Sequence, residues 1–162
     1  MSYVQSVIQP GEQVLATGHM HWIVYARGLV ILVLALIAFL LPAPSGFGVV
    51  LVIVAVLLLV LALLDLFRAW FVKVTTEIAV TNLRVIHKRG FIRRVTQEMN
   101  MGKVESVNVD QTLLGRAFDY GSIVVRGTGS GIEGLDYIAH PLQLRSAIVV
   151  NEGAIAAAPP RQ

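Results

Sequence analysis

The chain has 162 residues, 56% of them hydrophobic, no cysteine and a formal net charge of +3, and its mean hydropathy of +0.72 points to a membrane protein. The absence of cysteine excludes disulfide staples, thiol nucleophiles and thiolate metal sites. With so small a net charge, the placement of the charges matters more than their sum.

Met1 to Gln9 is short and mixed, without the basic start of a secretory signal. Pro10-Gly11-Glu12 reads as a turn, and Gln13 to His19 as a short strand closing an N-terminal segment over 1–21. Trp22 to Leu41 follows, 20 residues whose only charge is Arg27. Its uncharged part, Gly28 to Leu41, is short for a span. Arg27, however, can snorkel to the headgroups while Trp22 and Tyr25 supply an interfacial belt, so a first transmembrane helix is expected. Pro42-Ala43-Pro44-Ser45 allows only a tight turn. Gly46 to Leu64 (GFGVVLVIVAVLLLVLALL) is 19 residues without a charge, about the hydrocarbon thickness of a bilayer at ~1.5 Å per residue, and is read as the second helix of a hairpin over 22–64. Residues 65–73 read as a juxtamembrane connector, with Phe67, Trp70 and Phe71 as a second aromatic belt. The loop has no Lys or Arg, whereas Arg27, Arg68 and Lys73 lie on the outer flanks, so the positive-inside rule puts both termini in the cytoplasm. No ionisable residue falls between Gly28 and Leu64, which argues against a transporter or channel acting alone.

From residue 74 the texture is β-rich. Val74 to Thr81, Leu83 to Arg89, Phe91 to Glu98, Val104 to Asp110, Ser122 to Arg126 and Leu135 to Ala139 read as short strands separated by turn residues. Gln111 to Phe118 reads as a helical turn or irregular link. Pro141 suits the first position of a helix that Gly153 would stop, and Leu144, Ala147, Ile148 and Asn151 would share its inward face. Residues 154–162 read as a disordered tail. The pattern is that of an antiparallel sandwich or partly open barrel with a capping helix, over 74–153.

The run TNLRVIHKRGFIRRVTQEMNMGKVESVNVDQTLLGRAFDYGSIVVRGTG, with its aromatic strand, His140-Pro141 helix start and preceding Pro10-Gly11-Glu12, resembles the bacterial pleckstrin-homology-like family, subtype 2. The resemblance implies an α+β membrane protein of the bacterial inner membrane: a two-helix hairpin followed by a PH-like split barrel with a C-terminal helix. It carries no catalytic residues to transfer.

Arg84, Lys88, Arg89, Arg93 and Arg94 put five cations into eleven residues. Near a membrane such a cluster attracts anionic headgroups, at about 1 kcal/mol per basic residue, or it binds an acidic protein. Equally, it can protect strand edges from mispairing. Gly129-Ser130-Gly131-Ile132-Glu133-Gly134 matches a dinucleotide fingerprint in letters only, because a strand and not a helix follows. His19, His21, His87 and His140 have no carboxylates patterned around them, and the acids are scattered, so no metal, cofactor or catalytic residue is expected and the chain does not read as an enzyme. Two readings remain. One is a membrane-anchored, non-catalytic binding or scaffold module facing lipid, an unidentified protein or another copy of itself, with no nucleic-acid partner. The other is an accessory subunit of a larger membrane transporter or envelope-enzyme complex.

Overall fold

The apolar segment is inserted between the first two strands of a β domain. The computed structural model describes residues 7–42, 46–90 and 95–157. It divides into two units: residues 22–74 form one, while the residues up to His21 join those from Thr75 onward in the other. The N-terminal segment is therefore part of the domain rather than a separate lead-in.

In the helical unit a 3-10 turn, Trp22–Tyr25, leads into α1 (Ala26–Leu40), and α2 runs Gly48–Thr75. Where a connector was expected over 65–73, α2 simply continues, since DLFRAWFVK contains neither Gly nor Pro to break it. α1 taken together with the 3-10 turn before it (Trp22–Leu40), and α2 by itself, are long and apolar enough to cross a membrane. Most of their large side chains face outward, and the buried positions are small: Gly28 and Ala35 on α1, Ala55 and Ala62 on α2. Each pair is seven residues apart, which keeps it on one stripe, and small residues there let the two backbones approach closely. A Cβ at Gly28 would lie 2.7 Å from Leu66 Cδ2 and 3.2 Å from the Leu66 backbone nitrogen.

In the β unit, β1 (Val14–Gly18), β2 (Glu77–Thr81), β3 (Arg84–Arg89) and β4 (Val95–Asn100) form one antiparallel sheet in that order. A 3-10 turn, Met101–Lys103, leads to the second sheet of β5 (Val104–Asp110), β6 (Tyr120–Gly127) and β7 (Ser130–Ala139), with the short helix α3 (Leu113–Ala117) between β5 and β6. The chain beyond β1 joins the sheets: Met20 bridges Ile138, His21 N donates to Tyr137 O at 2.6 Å, and Ala139 N donates to His19 O at 2.9 Å. Alternating side chains supply the core. On β5, Val107 faces inward and Val109 is half-buried, while Asn108 and Asp110 point away. Glycine at φ +87° turns the β6–β7 hairpin at Gly129, and the rest of the glycine run, 131–134, lies within β7.

The C-terminal helix α4 (Pro141–Ala157) packs on both sheets. Its Leu144 and Ile148 enter the core, each burial being worth about 1.5–3 kcal/mol. Asn151 Nδ2 donates to Thr81 O at 2.9 Å. The helix passes through Gly153, where a stop was expected. The alanines that follow favour helix strongly enough to carry it on to Ala157, so residues 154–157 of the expected tail are helical, and 158–162 lie outside the described residues.

Candidate functional site

The five basic residues do not share one surface. Arg84 is spent inside the domain. Its Nε and Nη2 donate to Glu12 Oε1 and Oε2 at 3.0 and 2.9 Å, Nη1 to Glu98 Oε2 at 2.7 Å, and Nη2 also to Val7 O at 2.8 Å. Lys88 is half-buried and shares Arg84's face of β3, whereas Arg89 is exposed on the other face at the strand end. Arg93 and Arg94 lie outside the described residues.

Glu12 holds this arrangement together. Its side chain is fully buried and also accepts from Thr81 Oγ1 at 2.7 Å and from the Gln9 backbone N–H at 2.9 Å. Burial pushes this carboxyl up. The hydrogen bonds from Arg84, Gln9 and Thr81, with the Arg84 charge, outweigh that and hold it at about 2. Gly11, at φ +84°, makes the turn that aims Glu12 inward. The Pro-Gly-Glu turn is thus a lock between the N-terminal segment and the β2–β3 hairpin.

His87, on the core-facing side of β3, is 4% exposed. Its Nδ1 lies 3.4 Å from Gln97 Oε1 and its Nε2 has no hydrogen-bond partner. Burial pushes its pKa down, the Gln97 contact opposes this, and the Arg89 charge adds to it. It is a neutral core histidine.

A second cluster gathers where the chain beyond β1 meets β7. The His21 ring stacks on Tyr120 at 5.4 Å, and Tyr120 lies 6.3 Å from Tyr137. Three non-glycine residues here adopt positive φ: Asp119 at 54°, Tyr137 at 56° and His140 at 51°, a conformation that costs of order 1–3 kcal/mol each and gathers at functional positions. A register shift between the Gly121–Ile138 and Ile123–Leu135 pairs accounts for Tyr137, which sits in a bulge that leaves its ring half exposed. His140 Nδ1 contacts Asp119 Oδ2 at 2.5 Å, both side chains being exposed. Leu113 and Leu114 on the neighbouring α3, and Phe118 just after it, expose their side chains. Gln111 Nε2 secures that turn by donating to Tyr120 O at 3.1 Å. Sequence reasoning missed this cluster. Its signals were Asp119-Tyr120-Gly121, His140-Pro141 and the adjacent leucines Leu113-Leu114 in the link after β5.

In the helical unit, Arg27 Nε lies 3.8 Å from Asp65 Oδ1, and the Lys73 ammonium sits over the Tyr25 ring at 5.4 Å. Phe67 packs near Trp70 and Phe71, at ring separations of 5.9 and 6.5 Å. Trp22, Phe67 and Trp70 are each at least half exposed. Tyr25, Arg27, Phe67, Trp70 and Phe71 therefore occupy one end of the hairpin, where α1 begins and α2 ends.

A family model described as bacterial PH domain matches residues 23–149, which take in the helices, β2 to β7 and the first half of α4, but not β1. No curated protein and no solved structure matches the chain.

Proposed function

Because the chain belongs to the bacterial PH domain family, we propose that it is a non-catalytic, membrane-anchored binding module: its hairpin spans the bacterial inner membrane, and its PH-like domain offers a cytoplasmic surface for docking. Membership of this family suggests a binding or scaffold role, since PH-like domains are generally non-catalytic. One observation carries the anchoring. β1 precedes the helices and β2 follows them, yet the two strands pair from Val14–Thr81 to Gly18–Ile78. A chain that crosses a bilayer between two paired strands must cross it an even number of times. Two apolar helices meet that requirement with a connecting turn on the far side. Arg68 and Lys73 near the end of α2, against no Lys or Arg from Leu41 to Gly48, support a domain on the cytoplasmic side.

The arginine cluster contributes less to docking than its composition suggests, because Arg84 serves the Glu12 lock. Lipid attraction through charge would then rest on Arg89 with Arg93 and Arg94. A reporter fused after Gln162 tests the reading: it should be active only as a cytoplasmic fusion, and activity of a periplasmic reporter there overturns the topology.

A further inference from the structure

Leu113 is 84% exposed, more than any other large apolar side chain described, those of the hairpin included, and Leu114 beside it is 64% exposed. Both open α3, a five-residue turn whose Thr112 hydroxyl caps Gly115 N at 3.0 Å, so the pair is held outward on an ordered element. Strand register fixes where they lie. Asp110 at the end of β5 pairs with Ser122, Gly121 near the start of β6 pairs with Ile138, and Ile138 bridges Met20. Gly18 at the end of β1 pairs with Ile78 at the start of β2. The ends of β1, β5 and β7 and the starts of β2 and β6 therefore gather at one end of the barrel. From that end the chain leaves for the apolar helices after His21, whose ring stacks on Tyr120, and to that end it returns before β2.

We infer that α3 and its flanking tyrosines form a membrane-interface wedge: Leu113 and Leu114 enter the headgroup–acyl boundary, with Tyr120 and Tyr137 at headgroup level. The inference rests on the membrane-spanning reading of the hairpin. Lipid is the surface that this end of the barrel meets by covalent connection, and tyrosines beside apolar residues are the composition of an interfacial belt. Two leucines standing out from a single helical turn make a convex tip, the shape that enters a boundary layer about 5–10 Å deep. The contact is apolar rather than electrostatic. The charges around α3 are mixed: Arg116 on the turn, Asp119 paired with His140, and Asp110 and Asp136 exposed nearby. With three acids to one arginine around it, the wedge gains nothing from anionic headgroups and needs no low salt, which separates it from any contact made by Arg89.

The chain lacks cysteine, so single cysteines can report position in the full-length protein. Leu113→Cys, Leu57→Cys on α2 and Thr128→Cys on the β6–β7 turn would each carry an environment-sensitive fluorophore in vesicles of zwitterionic phosphatidylcholine with brominated acyl chains. The label at 113 should be quenched by the lipid bromines severalfold more than the label at 128, unchanged in high salt. Quenching at 57 without quenching at 113 overturns the wedge and leaves the anchor standing. A label at 113 shielded from both lipid bromine and aqueous iodide overturns it in favour of a protein contact. No quenching at 57 removes the membrane reading and the wedge with it.

Discussion

The β domain and the helical hairpin each contain an arginine–carboxylate pair, and the two pairs are opposite in kind. Arg84 and Glu12 meet through two hydrogen bonds of 2.9 and 3.0 Å, with 14% of the arginine side chain and none of the glutamate exposed. Arg27 and Asp65 approach only to 3.8 Å, with 77% of the arginine side chain exposed. Burial decides the difference. In the first pair each charge is satisfied only by the geometry that the fold imposes, so the pair specifies how the N-terminal segment docks. In the second, solvent or headgroups can satisfy the arginine, so the pair does not hold the helices together. The close approach between the helices is at Gly28, against Leu66.

Breaking the buried pair gives the largest effect. Glu12→Gln puts an amide N–H₂ group among the donors of Arg84, Gln9 and Thr81 and leaves Glu98 as the one carboxylate still paired with Arg84, beside the Val7 carbonyl. Removing one partner of a buried pair costs about 3–5 kcal/mol. Urea unfolding of the detergent-solubilised chain, followed by its β-sheet circular dichroism, should show that loss at neutral pH. The pH profile sharpens the test. A carboxyl held at about 2 when folded, against 4.5 when unfolded, stabilises the fold fully above pH 4.5 and loses that contribution as pH falls towards 2. Wild type should lose stability steeply across that window. Glu12→Gln should lose markedly less there, and a parallel profile would show that Glu12 is not the carboxylate responsible.

The hairpin should break at its seam instead. At Gly28 a β-carbon already meets Leu66 at 2.7 Å and the Leu66 backbone nitrogen at 3.2 Å, and the backbone cannot swing aside as a side chain can. Gly28→Leu should therefore force the helices apart at a cost of about 1–3 kcal/mol. The midpoint of SDS-induced unfolding from mild detergent should move to lower SDS fraction, with the urea stability of the β domain unchanged. An unchanged SDS midpoint would mean that the helices are not held at this seam.

Much of the helical unit was legible because an uncharged run as long as Gly46 to Leu64 reads as one long apolar helix. The end of α2 was not: aromatic and charged residues at 65–73 suit an interfacial connector and a helix equally, and only the lack of a breaker distinguishes them. In the domain, alternation on β5 marked its core face. The role of Arg84 was hidden because its partner Glu12 is 72 residues away, and no local pattern reports so distant a pairing. The cluster around Tyr137 was hidden for a related reason. A bulge and three positive-φ residues emerge from the register between strands, and tyrosine carries no sequence mark of positive φ as glycine does. The seam alanines lay in view, but Ala55 and Ala62 gain their meaning only once Gly28 and Ala35 are seen buried on α1.

The smallest effect belongs to the exposed pair, and its size measures depth. At 3.8 Å and with an exposed arginine, the pair should contribute no more than about 1 kcal/mol, so Asp65→Asn should leave the SDS midpoint almost unmoved. The complementary variant, Arg27→Met, is the more informative. It removes the cation and leaves Asp65, whose side chain is 19% exposed, without it. If this end of the hairpin lies at the interface, beside Tyr25, Trp70 and Lys73, water and headgroups solvate Asp65 and the change is again small. A carboxylate stranded in hydrocarbon would instead cost several kcal/mol. A large loss on Arg27→Met together with a neutral Asp65→Asn would thus place the pair deeper than the aromatic belt, and it would require the membrane boundary to be drawn nearer the end of α2.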